Sequence, residues 1–339
     1  MSNSKNSKPI VPVFYGCDQR FTPYLMASLA SLLDNISTRR KYAIHILHTD
    51  INEETQAMIK AMGKANVTIE FTDVAPVIDS ILGSLPIRDY YSPSTYFRFV
   101  IASHFPQYEK AVYVDADTVV IDDIANLYDT QLGNAYVGAV PEAVMNSIED
   151  CGAYAEKVLG IHRHKYFNAG LLVINCNKWR EFDVLGQFLT LISFYNFVVA
   201  QDQDYLNVIC KNKVHYLPRR WNAETIKTWN IDRKNLGIVH YAFAAKPWQD
   251  ITCIYGDIFW KYASKLPVYM EIKAAFAQVT QEKLDSIAKV IDGVCKTCRK
   301  EIARNDNFLK RVNSKRGAKP LISEPNLAEL VTRLRAHAV

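Results

Sequence analysis

Residues 112–120 read Val-Tyr-Val-Asp-Ala-Asp-Thr-Val-Val. An apolar run delivers two carboxylates, Asp115 and Asp117, with one small residue between them, and then resumes. The run predicts a buried strand over 110–114 that ends at Asp115. Alternation along an extended chain would put both acids on the same side. Two carboxylates that close repel when both are ionised. A divalent cation held by oxygen ligands removes that conflict. A pair of turn or helix-capping aspartates is the plainer reading of the same letters.

Upstream of this segment, strands and helices alternate. Residues 9–17 (PIVPVFYGC) form an apolar strand, and Thr22-Pro23 opens a helix carrying Leu25, Leu29, Leu32 and Leu33 at helical spacing. Strands follow at 43–48 and 67–72 around a helix over 52–64, and Ser92-Pro93 caps a further helix with Tyr96, Phe97, Val100 and Ile101. The order predicts an α/β fold, with a mainly parallel central sheet covered by helices on both faces. Ligands of such sheets bind beyond the carboxyl ends of the strands. Downstream, strands are read at 170–175 and 236–241 and helices at 183–195 and 203–211. Residues 184–201 carry no charge, but Gln187, Thr190, Ser193, Asn196 and Gln201 interrupt them, so a buried helix is expected rather than a membrane span.

Composition narrows the class. The 339 residues are 49% hydrophobic and 22% charged, which supports a full core and excludes a disordered chain or a disulfide miniprotein. The net charge of +5 is unevenly placed. Residues 271–339 carry 14 basic and 8 acidic side chains, leaving 26 basic and 27 acidic in residues 1–270. A neutral body argues against nucleic-acid binding. The polar start (MSNSKNSK) lacks an apolar signal core, and seven scattered cysteines suit a reducing compartment, so a cytoplasmic location is expected. Cys295 and Cys298 form a CxxC pair without two further ligands nearby and are read as chance spacing on a helix.

Two enzyme classes use a segment like 112–120. In one, Asp-x-Asp holds a metal that bridges the diphosphate of a nucleotide sugar. In the other, the haloacid-dehalogenase phosphatases, the first Asp of a DxDx[TV] motif is a nucleophile, and Asp115-Ala116-Asp117-Thr118-Val119 fits that as well. The local letters leave both open. Position separates them: the phosphatase motif normally follows the first strand, whereas about four strand and helix units precede Asp115, and its downstream partners cannot be placed. The other class finds partners in order. These are Phe167-Asn168-Ala169-Gly170, then Gln201-Asp202-Gln203-Asp204, then His240-Tyr241 followed by Lys246-Pro247-Trp248. With CDQRFTPYLMASLASLL at the first strand's end and Ser94-Thr95-Tyr96-Phe97-Arg98, these segments resemble glycosyltransferase family 8 over about residues 10–265. That family holds retaining nucleotide-sugar transferases with a GT-A-type fold, among them lipopolysaccharide galactosyl- and glucosyltransferases and the glycogenins.

The resemblance implies a set of roles. Asp115, Asp117 and His240 would bind Mn²⁺, with Mg²⁺ as the alternative ion, and Lys246 would meet the diphosphate. Asp18 would contact the uracil. Arg98, Asn168, Ala169, Asp202 and the backbone at Ala116 would line the donor sugar, and Gln203 would lie near the reacting anomeric face. Asp202, Gln203 and Lys246 are the expected catalytic residues. The implied partners are UDP-glucose or UDP-galactose as donor and a glycan or lipid-linked glycan as acceptor. A non-catalytic sugar-nucleotide-binding protein is the reading outside catalysis. The catalytic domain would span 1–265, and 266–339 would be a basic helical C-terminal region. There the stripe Ile272, Phe276, Val279, Leu284, Ile287, Ile291 and Val294, the basic stretch 296–319 and a last helix from Pro325 fit an appendage that could touch an anionic membrane on its inner face.

Two departures from the family pattern stand out. Gln19-Arg20-Phe21 replaces a frequent Asp-Asn-Tyr, and Phe243 occupies the place of a frequent Gly between the late His and Lys. A glycine allows close backbone approach to a phosphate, so a changed loop geometry is expected at Phe243.

Overall fold

The computed structural model describes residues 9–82, 93–244 and 246–313. The order is β1 (Val11–Gly16), α1 (Thr22–Asn35), β2 (Tyr42–His48), α2 (Glu53–Lys60), β3 (Val67–Asp73), α3 (Ala75–Leu82), a 3₁₀ segment (Pro93–Val100), α4 (Ile101–His104), β4 (Lys110–Val114), β5 (Thr118–Val120) and α5 (Ile124–Tyr128). Then come β6 (Val137–Pro141), α6 (Ala143–Ser147), α7 (Glu149–Tyr154), β7 (Phe167–Asn175), α8 (Cys176–Glu181), α9 (Val184–Phe194), α10 (Asp202–Ile209), β8 (Val214–Tyr216), β9 (Ala223–Glu224) and β10 (Ile238–His240). The chain continues through α11 (Gly256–Ala263), α12 (Tyr269–Ala277), α13 (Gln281–Ala303) and α14 (Phe308–Val312).

Seven strands form the main sheet in the order β3-β2-β1-β4-β7-β6-β8. β1, β2, β3 and β4 are mutually parallel, while β7 runs antiparallel to both β4 and β6. A small sheet, β5-β10-β9, stands beside it. The inner strands β2, β1, β4, β7 and β6 are buried on both faces, which is why they read as continuous apolar runs, whereas the edge strands β3 and β8 are partly exposed. Val11, Val13 and Tyr15 point into one core with α1 and α11, whereas Phe14 enters the other with α7, α9 and α10. The same alternation repeats in β4, where Val112 and Val114 face the first core and Ala111 and Tyr113 the second. α9 belongs to the second core, with Phe188 stacked on Phe99 at 3.7 Å, as a buried helix should be. No described helix is long and apolar enough to cross a membrane.

Several boundaries differ from the sequence reading. The helix expected after Pro93 is a 3₁₀ segment that passes into α4, and the Ser92 cap lies outside the described residues. The strand expected at 236–241 is the shorter β10, paired antiparallel with β5 rather than within the main sheet. The stripe over 272–294 is split between α12 and α13 by a break at 278–280, where Thr280 caps α13. Only its ends are deeply buried, at Ile272 and Val294. α13 then packs on α7: Cys298 and Cys151 meet at 3.9 Å, Tyr195 donates a hydrogen bond to Glu301 at 2.9 Å, and Phe308 of α14 joins the aromatic group of Tyr195 and Phe197. All seven cysteines are free thiols, with Cys295 and Cys298 on one helix. The helix expected from Pro325 lies outside the described residues.

Candidate active site

The sheet brings the carboxyl end of β4 beside the beginning of β7. The Asp115 amide donates to the Gly170 carbonyl at 2.8 Å, which locks the two segments together. Residues 115–117 turn instead of running on as a strand; Thr118 Oγ1 closes the turn on the Asp115 carbonyl at 2.9 Å. The two aspartates therefore converge through a turn into β5, not through strand alternation. β10, paired with β5, carries His240 opposite Thr118 and so over the same turn. One ligand atom from each of Asp115, Asp117 and His240 lies within 4.8 Å of the others. His240 Nε2 is 3.3 Å from Asp117 Oδ1 and 3.8 Å from Asp115 Oδ2.

Three observations test this cluster as a metal site. Asp117 Oδ1 is buried without a hydrogen-bond partner. Gly170 faces the cluster so closely that a Cβ there would lie 2.6 Å from Asp115 Oδ2 and would collide with the His240 ring, so glycine keeps the space open. The donor set, two carboxylates and an imidazole, suits Mn²⁺ or Mg²⁺. The residues fit a divalent cation.

A chain of fixed polarity sets the imidazole. The Gly170 amide can only donate, and it donates to Asn168 Oδ1 at 2.8 Å. Asn222 Nδ2 donates to that same oxygen at 2.9 Å, so Asn222 turns its Oδ1 to His240 Nδ1, also at 2.9 Å. Nδ1 must then carry the proton, and Nε2 keeps its lone pair toward the aspartates. Asn222 was not singled out from the sequence. Nothing in the sequence marks it, because Asn222 stands among other polar residues, Arg219, Arg220 and Glu224, and its role needs the fold.

Arg98 is buried among the other expected residues. It donates to Asp115 Oδ1 at 3.1 Å, to the Thr95 carbonyl at 2.7 Å and to the Ala169 carbonyl, and lies 3.3 Å from Asp202 Oδ2. Its guanidinium sits over the Tyr113 ring at 4.4 Å, and Tyr113 donates to Asp115 Oδ1 at 2.8 Å. Burial pushes the Asp202 carboxyl up to about 7 against the pull of Arg98, with Asp115 adding to the rise. Gln203 Oε1 accepts from the Ala169 amide at 2.9 Å and its Nε2 reaches Tyr166 at 3.3 Å, so its amide is anchored at both ends. Lys246 Nζ lies 2.5 Å from Asp117 Oδ2 and also donates to the Tyr241 carbonyl. Burial works to raise Asp117, but the Lys246 ammonium overcomes it and holds its carboxyl well below the usual carboxylate range.

Other expected residues take narrower parts. Ala116 is the buried middle of the turn. Asn168 spends its Oδ1 on Gly170 and Asn222, which leaves its amide NH₂ as the group outside those bonds. Asp18 stands at the end of β1, where its Oδ1 accepts from the Phe21 amide at 3.0 Å and its other oxygen lies 3.9 Å from Arg20. Phe243 has a φ of 63°, the left-handed conformation that a glycine adopts readily and a side chain disfavours. Gln201, with φ 46°, is likewise strained where α10 begins.

The sequence reading also missed Glu142 and Glu224. Glu142 follows β6 as the N-cap of α6 and Glu224 ends β9; both are nearly inaccessible, and each leaves one oxygen without a hydrogen-bond partner. Burial pushes Glu142 up to about 7 and Glu224 well above its ordinary value, so the pair holds a proton between them at neutral pH.

Comparison with known proteins agrees with this geometry. The sequence pattern of glycosyl transferase family 8 matches residues 12–252. A putative glycosyltransferase of Haemophilus influenzae is 31% identical over 267 residues, covering 75% of this chain and 79% of its own. The lipopolysaccharide 1,3-galactosyltransferase of Salmonella typhimurium is 25% identical over 248 residues, covering 70% and 72%. The crystal structure of the galactosyltransferase LgtC, in complex with donor and acceptor sugar analogues, superposes with a TM-score of 0.66 at 25% identity, covering 78% of this chain and all of that one.

Proposed function

We propose, from the premise that the chain belongs to glycosyltransferase family 8 and has its GT-A fold, that it is a retaining hexosyltransferase. It would move glucose or galactose from a UDP-sugar to a glycan or lipid-linked glycan, of the kind its lipopolysaccharide-modifying relatives act on. The observation that carries this reading is the cradle of Asp115, Asp117 and His240, left open by Gly170 and aimed by Asn222. These three residues would hold Mn²⁺, or Mg²⁺ in its place. The bound cation offsets charge on a diphosphate leaving group.

The remaining roles belong to side chains. Arg98 fixes Asp115 and, through Asp202 and the Ala169 carbonyl, the floor on which the donor sugar would rest. Lys246 would release Asp117 and turn its ammonium to the diphosphate, where it stabilises the developing negative charge. Gln203 presents an amide, a poor nucleophile, and it is anchored to Ala169 and Tyr166. A covalent enzyme intermediate is therefore disfavoured, and retention proceeds through a front-face, oxocarbenium-like displacement in which the departing diphosphate takes the acceptor hydroxyl's proton. Trapping of a glycosyl adduct on Gln203 or Asp202 would overturn this mechanism. Asp18 would meet the uracil edge. The family match leaves the phosphatase alternative without support.

The test is a thermal-shift screen of nucleotide sugars with and without Mn²⁺. Stabilisation follows RT ln(1 + [L]/Kd), about 2.7 kcal/mol at a hundredfold excess over Kd. A UDP-hexose should stabilise the protein in a metal-dependent way, and absence of any such shift refutes the reading. UDP binding without transfer to any acceptor would favour a binding protein. Attachment to an anionic membrane surface is tested with a chain ending at Asn313, because α13 and α14 belong to the core. Residues 314–339, which carry five Lys and Arg against two Glu, would supply the attraction. Equal pelleting of both chains with anionic liposomes at low salt removes the idea.

A further inference from the structure

We propose that the cavity at the β8 edge of the sheet binds a phosphorylated sugar of the acceptor, a reading that rests on the transferase function above. The cavity has a volume of about 450 Å³. Lys165, Lys211 and His162 line it together with the amides of Asn207 and Asn212 and the ring of Tyr216, and none of its lining residues is acidic. No ion pair involves either lysine among the described residues. Nearby Glu156 and Glu149 are already engaged by Arg163. The carboxylates that would neutralise the two ammonium groups are therefore spent elsewhere.

The backbone is shaped for this arrangement. Gly160 has φ 68°, a left-handed turn that favours glycine, and Lys211 Nζ lies beside it, 3.5 Å from where a Cβ would stand. Asn207 is held by two bonds to Phe167, its Oδ1 accepting from the amide at 2.9 Å and its Nδ2 donating to the carbonyl at 2.8 Å. Tyr216 is fixed by donating to the Lys165 carbonyl at 2.7 Å, yet remains 40% exposed. An ordered, exposed aromatic ring is suited to the apolar face of a sugar. Two unpaired ammonium groups beside it suit a dianion such as a phosphoryl ester.

Position ties the cavity to the reaction. Pro141 pairs with Phe167, and Ala139 with Tyr216, so the cavity opens at the same sheet end as Asp115. Phe167 directly precedes Asn168, and Asn207 follows Gln203 by one turn of α10. At 1.5 Å per residue, Asn207 stands roughly 6 Å along the helix direction from Gln203, and Lys211 lies beyond the C-cap of α10. That is the reach of an oligosaccharide acceptor whose terminal hydroxyl lies at the donor sugar.

The experiment titrates the full chain with glucose 6-phosphate, inorganic phosphate and glucose by calorimetry, with and without saturating UDP. Glucose 6-phosphate should bind in both conditions, weaken as salt rises, and lose about tenfold or more in affinity in Lys165→Glu/Lys211→Glu. Tyr216→Ala should weaken glucose 6-phosphate while leaving inorganic phosphate unchanged. Displacement of glucose 6-phosphate by UDP, unchanged affinity in the lysine variant, or equal affinity for inorganic phosphate each overturns the assignment. A separate UDP titration of the same variants reports the donor site. Its failure would strike the transferase reading alone, and its success shows that the variants are folded.

Discussion

Replacing Asn222 separates the aim of a metal ligand from the ligand itself. Asn222 is fully buried, and among the described residues its side chain accepts from His240 Nδ1 and donates to Asn168 Oδ1, both at 2.9 Å. In Asn222→Ala the imidazole keeps its place on β10 but loses the acceptor that selects its tautomer. Removing an outer partner of a histidine ligand typically lowers metal affinity about 10–100-fold, or about 1.4–2.7 kcal/mol. The unpaired Nδ1–H left behind costs stability by about 1–3 kcal/mol, which a melting curve reads separately. The assay is the electron paramagnetic resonance signal of free Mn²⁺ during titration in the presence of UDP, so no turnover is needed. Asn222→Asp keeps an acceptor for Nδ1–H while losing the donor to Asn168, and should fall less than Asn222→Ala. If folded Asn222→Ala binds Mn²⁺ within twofold of the native protein, or if the Asp variant falls as far, the polarity chain from Gly170 to His240 does not orient the ligand.

Other perturbations read other parts of the site. Gly170→Ala places a Cβ against Asp115 and His240 and should abolish Mn²⁺-dependent UDP binding in a folded protein; retained binding would show that the cradle relaxes easily. Lys246→Ala removes the ammonium from Asp117, so Mn²⁺ binding without nucleotide should tighten by about tenfold or more while UDP binding weakens, and the two shifting in the same direction would refute the competition. The Glu142–Glu224 pair sets a pH dependence. The folded protein keeps protons on these groups up to about pH 7 or beyond, whereas the unfolded chain releases them near about pH 4.3. Between these limits the native state binds more protons, so stability falls as pH rises. Glu142→Gln should flatten that slope and raise the melting temperature at pH 8; parallel calorimetric curves for the two proteins would contradict a shared proton.

Much of the site was legible because its ligands announce themselves along the chain. Asp115 and Asp117 lie in one apolar segment, His240 ends a strand, and Asp202 and Gln203 open a helix, so their order along the chain could be matched to the family pattern, which implies a common function. The first half of the fold was legible for a related reason: β1, β2 and β4 are buried on both faces, and the four strands alternate with helices. Legibility fails where the contact is through space. β7 is an apolar run like its neighbours, and nothing in its letters says that it runs antiparallel between β4 and β6. β8 and β9 are too short to carry a period. Glu142 and Glu224 look like surface acids until the ends of β6 and β9 bury them face to face.

Phe243 holds a backbone conformation that its own side chain disfavours. The structure holds φ at 63° and accepts the strain, of order 1–2 kcal/mol for a residue with a Cβ. Such strain persists only where surroundings over-determine the backbone. Here they do: on one side the Tyr241 amide is tied to the Asp117 carbonyl at 2.9 Å, and on the other Lys246 reaches back to the Tyr241 carbonyl and to Asp117. The path from His240 to Lys246 is thus fixed at both ends by the same aspartate that would hold the cation. Those ties hold Tyr241 and Lys246 to one aspartate, and the strain at Phe243 is the cost of the turn between them.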